Sequence, residues 1–164
     1  MKQLEIRHSC DRDIEQIRQI YAEPSNYAAT LQLPNPSASV WEKRLRDLSD
    51  GSYSLVACRA DEVLGQLSLD VRKSPRRKHV ATLGLAVRVS ARRQGVGSVL
   101  VSTAIEMAER WLAVRRIELD VCTDNIAAIA LYKKFGFVIE GTLRNFAFRN
   151  GEFVDVHAMA KIAA

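Results

Sequence analysis

The N-terminal part of the chain changes from a strand-like to a helix-like hydrophobic period. Apolar and polar residues alternate over Leu4–Arg7, which predicts a short first strand. Apolar residues then recur at helical spacing over Ile14–Tyr21, and Glu23–Asn26 is expected to end that helix. Tyr27–Ser39 contains prolines and has no clear period, so we interpret it as irregular. A second helix is predicted over Val40–Leu48.

The central region has the period of β-strands. Tyr53–Cys58 and Val63–Val71 are predicted to form a hairpin. The basic segment Arg72–Lys78 breaks the pattern, and we interpret it as a solvated connection, although its charge could also attract an anionic ligand. The strongly apolar segment His79–Val87 is expected to be the next strand.

The C-terminal half alternates helices and strands. Apolar residues at helical spacing from Gly95 to Trp111 predict a long helix. Thr123–Asn125 can cap a short helix that runs to about Lys134. The pair Asn150-Gly151 is a strong signal for a two-residue hairpin turn. The strands predicted in this half are Arg116–Val121, Gly136–Ile139 with its continuation Leu143–Arg149, and Glu152–Ile162.

This order of elements, β-α-α-β-β-β-α-β-α-β-β, predicts an α/β protein with a mixed sheet and a single domain over residues 1–164. A helix connects the strands that end near Val87 and Val121. We therefore expect a right-handed crossover and parallel pairing of these strands. Ligands in such sheets bind beyond the carboxyl ends of parallel strands. The segment that begins at Arg92 lies at that position.

Composition narrows the class of protein. The hydrophobic share of 48% and the charged share of 26% argue against wholesale disorder. The net charge of +5 suits an anionic ligand but is too small to indicate nucleic acid. The scattered cysteines Cys10, Cys58 and Cys122 predict reduced, buried thiols in a cytoplasmic protein. The sequence has no apolar signal core and no long apolar window, so we expect no membrane association.

The segment Arg92–Gly97 joins an apolar strand to a helix, which is an arrangement that can hold a phosphate. Unbonded N–H groups at a helix N-terminus favour an anion, and glycines let the backbone approach it. The segment lacks the nucleotide pattern GxxxxGK[ST] and the dinucleotide pattern GxGxxG. Taken alone, Gly95 and Gly97 could equally serve only to permit a tight turn.

Two motifs together indicate a family. Arg92-Arg93-Gln94-Gly95-Val96-Gly97 fits the pattern [RQ]-x-x-G-x-[GA], and Asn125–Phe137 matches a second signature through its asparagine, tyrosine and Gly-Phe. In these motifs and in its strand order, the chain resembles the GNAT N-acetyltransferases. The resemblance implies a mostly antiparallel sheet of about six to seven strands with about four helices. It also implies that the fourth and fifth strands splay apart.

Within that family, Thr30–Ser37 and the ending Arg149–Ala160 resemble the bacterial L-amino acid N-acetyltransferases. The resemblance implies direct transfer of an acetyl group from acetyl-CoA to a primary amine in a ternary complex, without a metal. A free L-amino acid is the expected acceptor, and a protein N-terminus, a polyamine or an antibiotic amine is the alternative. A hypothesis of another class is a non-catalytic regulatory module that binds coenzyme A. The resemblance also makes a homodimer through the C-terminal strands plausible.

By resemblance, backbone N–H groups over Arg93–Ser98 should hold the pyrophosphate of acetyl-CoA. The strand around Leu85–Val87 should pair with its pantetheine arm, and the side chain of Asn125 should reach the same arm. The residues implied for binding the co-substrate are Leu85, Ala86, Val87, Arg92, Arg93, Gln94, Gly95, Val96, Gly97, Ser98, Asn125, Ala128, Tyr132 and Lys134.

The resemblance also implies two catalytic groups and a substrate region. The Val87 backbone N–H is the candidate donor to the oxyanion, and Tyr132 matches the general acid that protonates the departing thiolate. The alternative for Tyr132 is a half-buried ring with its hydroxyl in water. Thr30, Gln32 and Trp41 are candidate substrate contacts, and core packing is the alternative for Trp41.

The sequence leaves the general base open. Many members of the family place a glutamate on the strand before the phosphate turn, but His79–Leu85 carries no carboxylate. A water chain and a side chain are equal hypotheses, and for each individual side chain a solvated surface role is the favoured interpretation. The side-chain candidates are His79, Asp70, Glu118 and Asp120.

Overall fold

The computed structural model describes residues 3–164, which form seven β-strands and five α-helices. The strands are β1 (Glu5–His8), β2 (Ser52–Arg59), β3 (Glu62–Val71), β4 (Val80–Val87), β5 (Arg116–Cys122), β6 (Val138–Arg149) and β7 (Glu152–Ile162). The helices are α1 (Ile14–Ala22), α2 (Pro24–Ala29), α3 (Ala38–Arg46), α4 (Val96–Trp111) and α5 (Ile126–Lys134). All seven strands join one sheet in the order β1-β2-β3-β4-β5-β7-β6.

The sheet is antiparallel except at its centre. β4 and β5 are parallel, and α4 makes the connection between them, as the sequence predicts. The other neighbouring pairs are antiparallel. The prediction of a mixed, mostly antiparallel sheet is therefore confirmed.

The structure has one helix more than the predicted four, because Glu23–Asn26 does not end the helical region. Pro24 instead occupies the first turn of α2. A proline is well suited to that position, where its missing N–H would have no helical partner and its fixed φ matches the helix. The irregular segment is consequently shorter than predicted, and α3 begins at Ala38 rather than Val40.

The hairpin of β6 and β7 turns where Asn150-Gly151 predicts. Both residues have a positive φ, of 51° for Asn150 and 82° for Gly151, as a type I′ turn requires. The register of β6 shifts between Leu143 and Ala147. This bulge turns residues 144–146 out of the regular ladder, close to the candidate active site.

Helices cover both faces of the sheet. α4 packs on the back face, where Leu67, Leu83 and Ile117 are buried. α1 and α3 pack on the front face of the other half, around the buried Ile17 and Trp41. Burying an aliphatic side chain of this size contributes roughly 1.5–3 kcal/mol. These two clusters pack against β3 and β4 from both sides.

Cys58 and Cys122 are buried free thiols, as predicted, but Cys10 is exposed. Cys10 lies at the start of a short 3-10 turn before α1, and its backbone N–H donates to the Asp13 carboxylate at 2.8 Å. The chain reaches the surface there before α1 begins, so its side chain is not part of the core. No helix within residues 3–164 is long and apolar enough to span a membrane.

Candidate active site

A cavity opens where β4 and β5 separate. The register of the two strands pairs Val80 with Arg116, Ala81 with Ile117, and Thr82 with Glu118. Beyond these pairs the strands diverge, and a cavity of about 840 Å³ extends from between them to α4 and α5. The predicted splay between the fourth and fifth strands is confirmed.

The open edge of β4 presents backbone groups to this cavity. Two hydrogen bonds show that the even-numbered residues of β4 bond to β3: Arg88 N–H to Leu64 C=O and Arg72 N–H to Val80 C=O, both at 2.8 Å. The odd-numbered residues Leu83, Leu85 and Val87 therefore direct their N–H and C=O groups toward β5. Because β5 has diverged at this level, these groups face the cavity.

β5 forms the opposite wall in the same way. Two hydrogen bonds show which residues along β5 direct their backbone groups toward β7: Thr123 N–H to Asp155 C=O at 3.1 Å and Ala163 N–H to Arg115 C=O at 2.8 Å. Odd-numbered residues thus bond to β7, and the backbone groups of Asp120 and Cys122 face β4. Two facing strands with unpaired N–H and C=O groups can bind an extended, amide-containing chain between them.

The glycine turn leaves the N-terminus of α4 open. Gly95 has a φ of 82°, in the left-handed region, and no side chain caps the helix. Val99 N–H bonds back to Gly95 C=O at 3.1 Å, so the N–H groups of residues 96–98 precede the first helical bond. Arg93 also has a positive φ, of 60°, a strained conformation for a long side chain. These features suit an anion.

Gly95 and Gly97 have different roles. A Cβ at Gly95 would meet no atom within 4 Å, so its left-handed backbone is what favours glycine. A Cβ at Gly97 would lie 3.2 Å from Leu131 Cδ2 and 3.6 Å from Leu85 Cδ2. Gly97 therefore permits the start of α4 to lie close to both α5 and β4.

Arg92 anchors α2 to the turn. Its guanidinium donates to Ser25 Oγ at 2.8 Å and to Asn26 Oδ1 at 2.9 Å. The buried Asn26 in turn donates to Val87 C=O at 3.0 Å. The sequence predicts no role for Asn26, because nothing local distinguishes it from an exposed asparagine at a helix end. Its bond occupies the Val87 carbonyl and leaves the Val87 N–H facing the cavity.

Most of the residues predicted to bind the co-substrate line this cavity: Leu85, Ala86, Val87, Arg92, Arg93, Gly95, Val96, Gly97, Ser98, Asn125, Ala128 and Tyr132. Gln94 and Lys134 lie apart from its lining. Gln94 Nε2 donates to Ser90 C=O at 2.9 Å, which braces the turn from outside. Lys134 Nζ lies 5.6 Å from the centroid of the Phe135 ring.

α5 brings Asn125 and Tyr132 to the cavity. Asn125 Oδ1 accepts from Ala128 N–H at 3.2 Å and caps the helix, which leaves the amide NH₂ available to a ligand. Tyr132 is 6% exposed, so it is buried rather than half-buried. Burial raises the pKa of its phenol to about 12. The hydroxyl is therefore protonated at neutral pH and can act as a donor.

The structure separates the candidates for the general base. His79, Glu118 and Asp70 lie outside the lining of this cavity, although Asp70 lines a smaller cavity on the front face. Burial acts to raise the pKa of Glu118, but hydrogen bonds from Arg116 and Arg77, each 2.7 Å long, outweigh it and lower that pKa. Asp120 lines the cavity, and its partial desolvation there together with the charge of Glu118 raises its pKa. A carboxylate with a raised pKa is the better proton acceptor.

A second cavity, of about 330 Å³, lies on the front face beneath α3. Trp41 stacks on Tyr21 with ring centroids 4.6 Å apart, and the Tyr21 hydroxyl donates to Gln66 Oε1 at 2.7 Å. Gln66 Nε2 donates to Ser68 Oγ at 2.9 Å. This bonded chain makes a rigid wall. The lining includes the predicted substrate residues Thr30, Gln32 and Trp41, together with Arg44, Asp70 and Thr82.

The two cavities meet at Gly84. Four residues line both: Thr30, Leu83, Gly84 and Leu85. Gly84 and Asp120 lie just beyond the last β4–β5 pair, Thr82 with Glu118, and on the same face of the sheet as that pair. A Cβ at Gly84 would meet no atom within 4 Å. The missing side chain keeps the passage open, and Asp120 lies across the cleft from it.

Comparison with known proteins identifies the family. Residues 14–137 match the model of the Acetyltransferase (GNAT) family. The chain belongs to this family. It is 49% identical over 162 residues to the L-amino acid N-acetyltransferase AaaT of Escherichia coli (strain K12), with 99% of both chains covered. The prediction of a GNAT N-acetyltransferase is confirmed.

Two solved structures show the same fold. A ribosomal-protein-alanine N-acetyltransferase from Brucella melitensis aligns with a TM-score of 0.88 at 28% identity, over 97% of this chain and 99% of that one. The structure of yncA from Salmonella typhimurium, solved with its cofactor acetyl-CoA, aligns with a TM-score of 0.83 at 21% identity, over 97% of this chain and 93% of that one.

The larger cavity fits acetyl-CoA, the acetyl donor of the GNAT family. The open edges of β4 and β5 match the amides of a pantetheine arm, and the N–H groups of residues 96–98 match a pyrophosphate. Among residues 3–164, no group of three or more His, Cys, Asp or Glu side chains is arranged to hold a metal ion.

The surroundings of the basic segment Arg72–Lys78 and of Cys122 argue against a catalytic role for either. The basic segment lies at the end of β4 opposite the glycine turn, where it is solvent-exposed apart from the ion pair of Arg77 with Glu118 at 2.7 Å. Cys122 is buried, and burial raises the pKa of its thiol, which disfavours the thiolate that an acyl carrier would need.

Proposed function

We propose that this enzyme transfers the acetyl group of acetyl-CoA to the α-amino group of a free L-amino acid. The observation that supports this most strongly is the meeting of two unlike cavities at Gly84. The volume of the smaller one, about 330 Å³, lies at the low end of small-molecule sites and suits one small acceptor. The 49% identity to an L-amino acid N-acetyltransferase supports the choice of acceptor.

In this proposal the larger cavity holds acetyl-CoA, which supplies the activated acetyl group. The backbone of Leu85–Val87 and of Asp120–Cys122 binds the amides of the pantetheine arm. The N–H groups of residues 96–98 bind the pyrophosphate, and the neighbouring Arg93 adds positive charge. The NH₂ group of Asn125 is a further donor to the arm.

Asp120 is the proposed general base. It faces the passage at Gly84 from the opposite strand, and its raised pKa suits it to accept the proton of the incoming amine. Tyr132 donates a proton to the departing sulfur. The Leu85 N–H, which adjoins Gly84 and faces the same cavity, is the proposed donor to the carbonyl oxygen, and the Val87 N–H, nearer the glycine turn, is the alternative.

We also propose a homodimer that forms through the C-terminal hairpin. β6 is an edge strand, and Leu143, Phe148 and Phe153 on this hairpin are 45%, 66% and 63% exposed. A long edge strand with exposed apolar side chains favours pairing with a second chain. A monomer mass by sedimentation at micromolar concentration would contradict the dimer.

The two buried free thiols, Cys58 and Cys122, support a cytoplasmic location.

The proposed reaction is tested by incubating the protein with acetyl-CoA and each common L-amino acid. Thiol release reports turnover, and mass spectrometry identifies the N-acetyl product. A peptide with a free N-terminus, spermidine and an aminoglycoside serve as competing acceptors. We expect at least one amino acid to give the highest kcat/KM. Turnover with the peptide, spermidine or aminoglycoside alone would contradict the acceptor class, and tight coenzyme A binding without turnover would favour a regulatory module.

A further inference from the structure

Arg44 holds a positive charge at the rim of the smaller cavity. It lies on α3, and its guanidinium carbon is 4.5 Å from the centroid of the Trp41 ring. Its Nη1 donates to Gln32 Oε1 at 3.0 Å. No Asp or Glu of residues 3–164 forms an ion pair with it, although several other arginines of the chain are paired. Asp70 also lines this cavity but forms no ion pair with Arg44. A guanidinium without an ion-pair partner in a ligand cavity can bind an anionic group.

Gln32 connects this guanidinium to the junction of the two cavities. Its Oε1 accepts from Arg44, and its Nε2 lies 3.4 Å from Thr30 C=O as a donor. Thr30 lines both cavities. Arg44 and Gly84 themselves both line the smaller cavity. An α-amino acid carries its amine and its carboxylate on one carbon, so the group that binds the carboxylate must lie near the reacting amine.

The surroundings of Arg44 hold its guanidinium in place. Trp41, on which it stacks, is 5% exposed and is itself stacked on the buried Tyr21. Stacking on an indole stabilises a guanidinium without using its N–H donors. Nε and Nη2 thus remain for a ligand, in the planar arrangement that matches the two oxygens of a carboxylate. A positioned donor pair loses little conformational entropy when the ligand binds.

We infer that Arg44 binds the α-carboxylate of the acceptor and thereby selects free amino acids over their amides, peptides and simple amines. This inference rests on the proposed function, and it adds the residue that distinguishes these acceptor classes. An α-amide keeps the size and the amine of the amino acid but lacks the negative charge. A peptide replaces the carboxylate by an amide bond and more chain, which the small cavity has less room for.

The test compares two proteins with two acceptors. Wild type and Arg44→Gln are each assayed with every amino acid that wild type acetylates and with the matching α-amide. We expect Arg44→Gln to lower kcat/KM for the amino acid by about 10- to 100-fold, mainly through KM, because a charge-assisted pair is lost. For the α-amide we expect a change of less than about twofold, because the interaction with Arg44 is absent from the start. The variant-to-wild-type ratio is compared for each acceptor, since an amide and its acid differ in the pKa of their amines.

Matched variants separate binding from general charge effects. Lys43→Gln removes a neighbouring positive charge from α3 outside the cavity lining, and we expect it to leave both acceptors unchanged. Arg44→Lys keeps the charge without the planar donor pair, so it should recover part of the loss. KM for acetyl-CoA should be the same in all of these proteins. Arg44 is exposed, so its substitution should leave Tm close to that of wild type.

Equal losses for amino acid and amide in Arg44→Gln would overturn the inference and leave the proposed function intact. Failure of the proposed function gives a different result, in which wild type acetylates no amino acid at all. If Lys43→Gln lowers kcat/KM for the amino acid as much as Arg44→Gln does, the effect comes from the overall positive charge of α3 rather than from contact with a carboxylate.

Discussion

The two cavities that meet at Gly84 differ in what they are made of. The larger one uses main-chain groups, and most of them come from one continuous region, Val80–Trp111, which holds β4, the glycine turn and α4. The smaller one uses side chains from separate segments, among them Gln32, Arg44 and Asp70. A main-chain site needs a particular backbone conformation, which a short motif can encode. A side-chain site depends on which segments the fold brings together.

This difference determines which substitutions should matter. A side-chain change in the larger cavity leaves most of its N–H and C=O groups in place, so a large effect there requires a group that takes part in proton transfer. In the smaller cavity, side chains form the surface that the acceptor touches. Substitutions in the two cavities test this contrast, and we expect the largest effect at Asp120.

Asp120→Asn should lower kcat by about 100- to 10,000-fold, because it removes the proposed general base without changing the cavity wall. In wild type, activity should fall as the pH drops through the pKa of Asp120, which is raised from its ordinary value. That acidic limb should be missing from the variant. The measurement is kcat and kcat/KM as functions of pH.

Glu118→Gln is the matched control, since Glu118 lies on the same strand and face but outside the larger cavity. It should keep kcat within about threefold and move the acidic limb to lower pH, because the Glu118 charge helps to raise the Asp120 pKa. The pH dependence of protein stability gives a second test of the raised Asp120 pKa. A folded-state pKa above the unfolded one means that stability is lost as pH rises, so Asp120→Asn should raise Tm at neutral pH but not at strongly acidic pH. An active Asp120→Asn enzyme would favour a water chain.

Tyr132→Phe should lower kcat by about 10- to 100-fold and leave KM for acetyl-CoA nearly unchanged, because the ring still lines the cavity. Wild type should show no alkaline limb from this residue within the usual assay range, since its pKa is about 12. Initial rates of thiol release check both points, with Tyr27→Phe on α2 as the control. Unchanged kcat in Tyr132→Phe would remove the tyrosine from the mechanism.

Gly84→Val should lower kcat/KM for the acceptor by about 10-fold while KM for acetyl-CoA stays within about twofold. The new side chain would project into open space, so folding should tolerate it while the passage narrows. Gly84→Ala should give a smaller loss of the same kind. Gly141→Val is the matched control, because its Cβ also meets no atom within 4 Å but it lies on β6 away from both cavities. Equal effects on both substrates would contradict the separation of the two cavities.

Asn26→Ala should lower the free energy of unfolding by about 1–3 kcal/mol, because it leaves buried backbone carbonyls without their donor. Denaturant unfolding measures this effect.

Arg92→Gln should raise KM for acetyl-CoA less than Arg93→Gln does, since Arg92 is bonded to α2. Titrations of initial rate against acetyl-CoA concentration measure both KM values. A larger KM effect at Arg92 would show that it contacts the co-substrate directly.

The sequence predicts this fold well wherever the hydrophobic period is long. The strands, the crossover helix α4 and the hairpin at Asn150-Gly151 follow from local pattern alone. The sequence pattern does not predict α2, because Pro24, a residue that usually interrupts a helix, here begins one. The local sequence around a proline that begins a helix resembles the sequence around a proline that follows the end of a helix.

The sequence predicts some residues of the candidate site but not others. The glycine turn and Tyr132 belong to motifs, and the structure brings them to one cavity. Asp120 and Arg44 belong to none. The role proposed for Asp120 depends on its register opposite Gly84, and that of Arg44 on a stack with Trp41 and a bond to Gln32. Such contacts between distant segments exist only after folding.

The most direct measurement is a crystal structure of the protein with coenzyme A and the amino acid that it acetylates fastest. We predict that the pantetheine arm lies between Leu85–Val87 and Asp120–Cys122. We also predict that the amino acid lies in the smaller cavity, with its amine at Gly84 within hydrogen-bonding reach of Asp120. An amino acid bound elsewhere, with the smaller cavity vacant, would contradict the proposed mechanism.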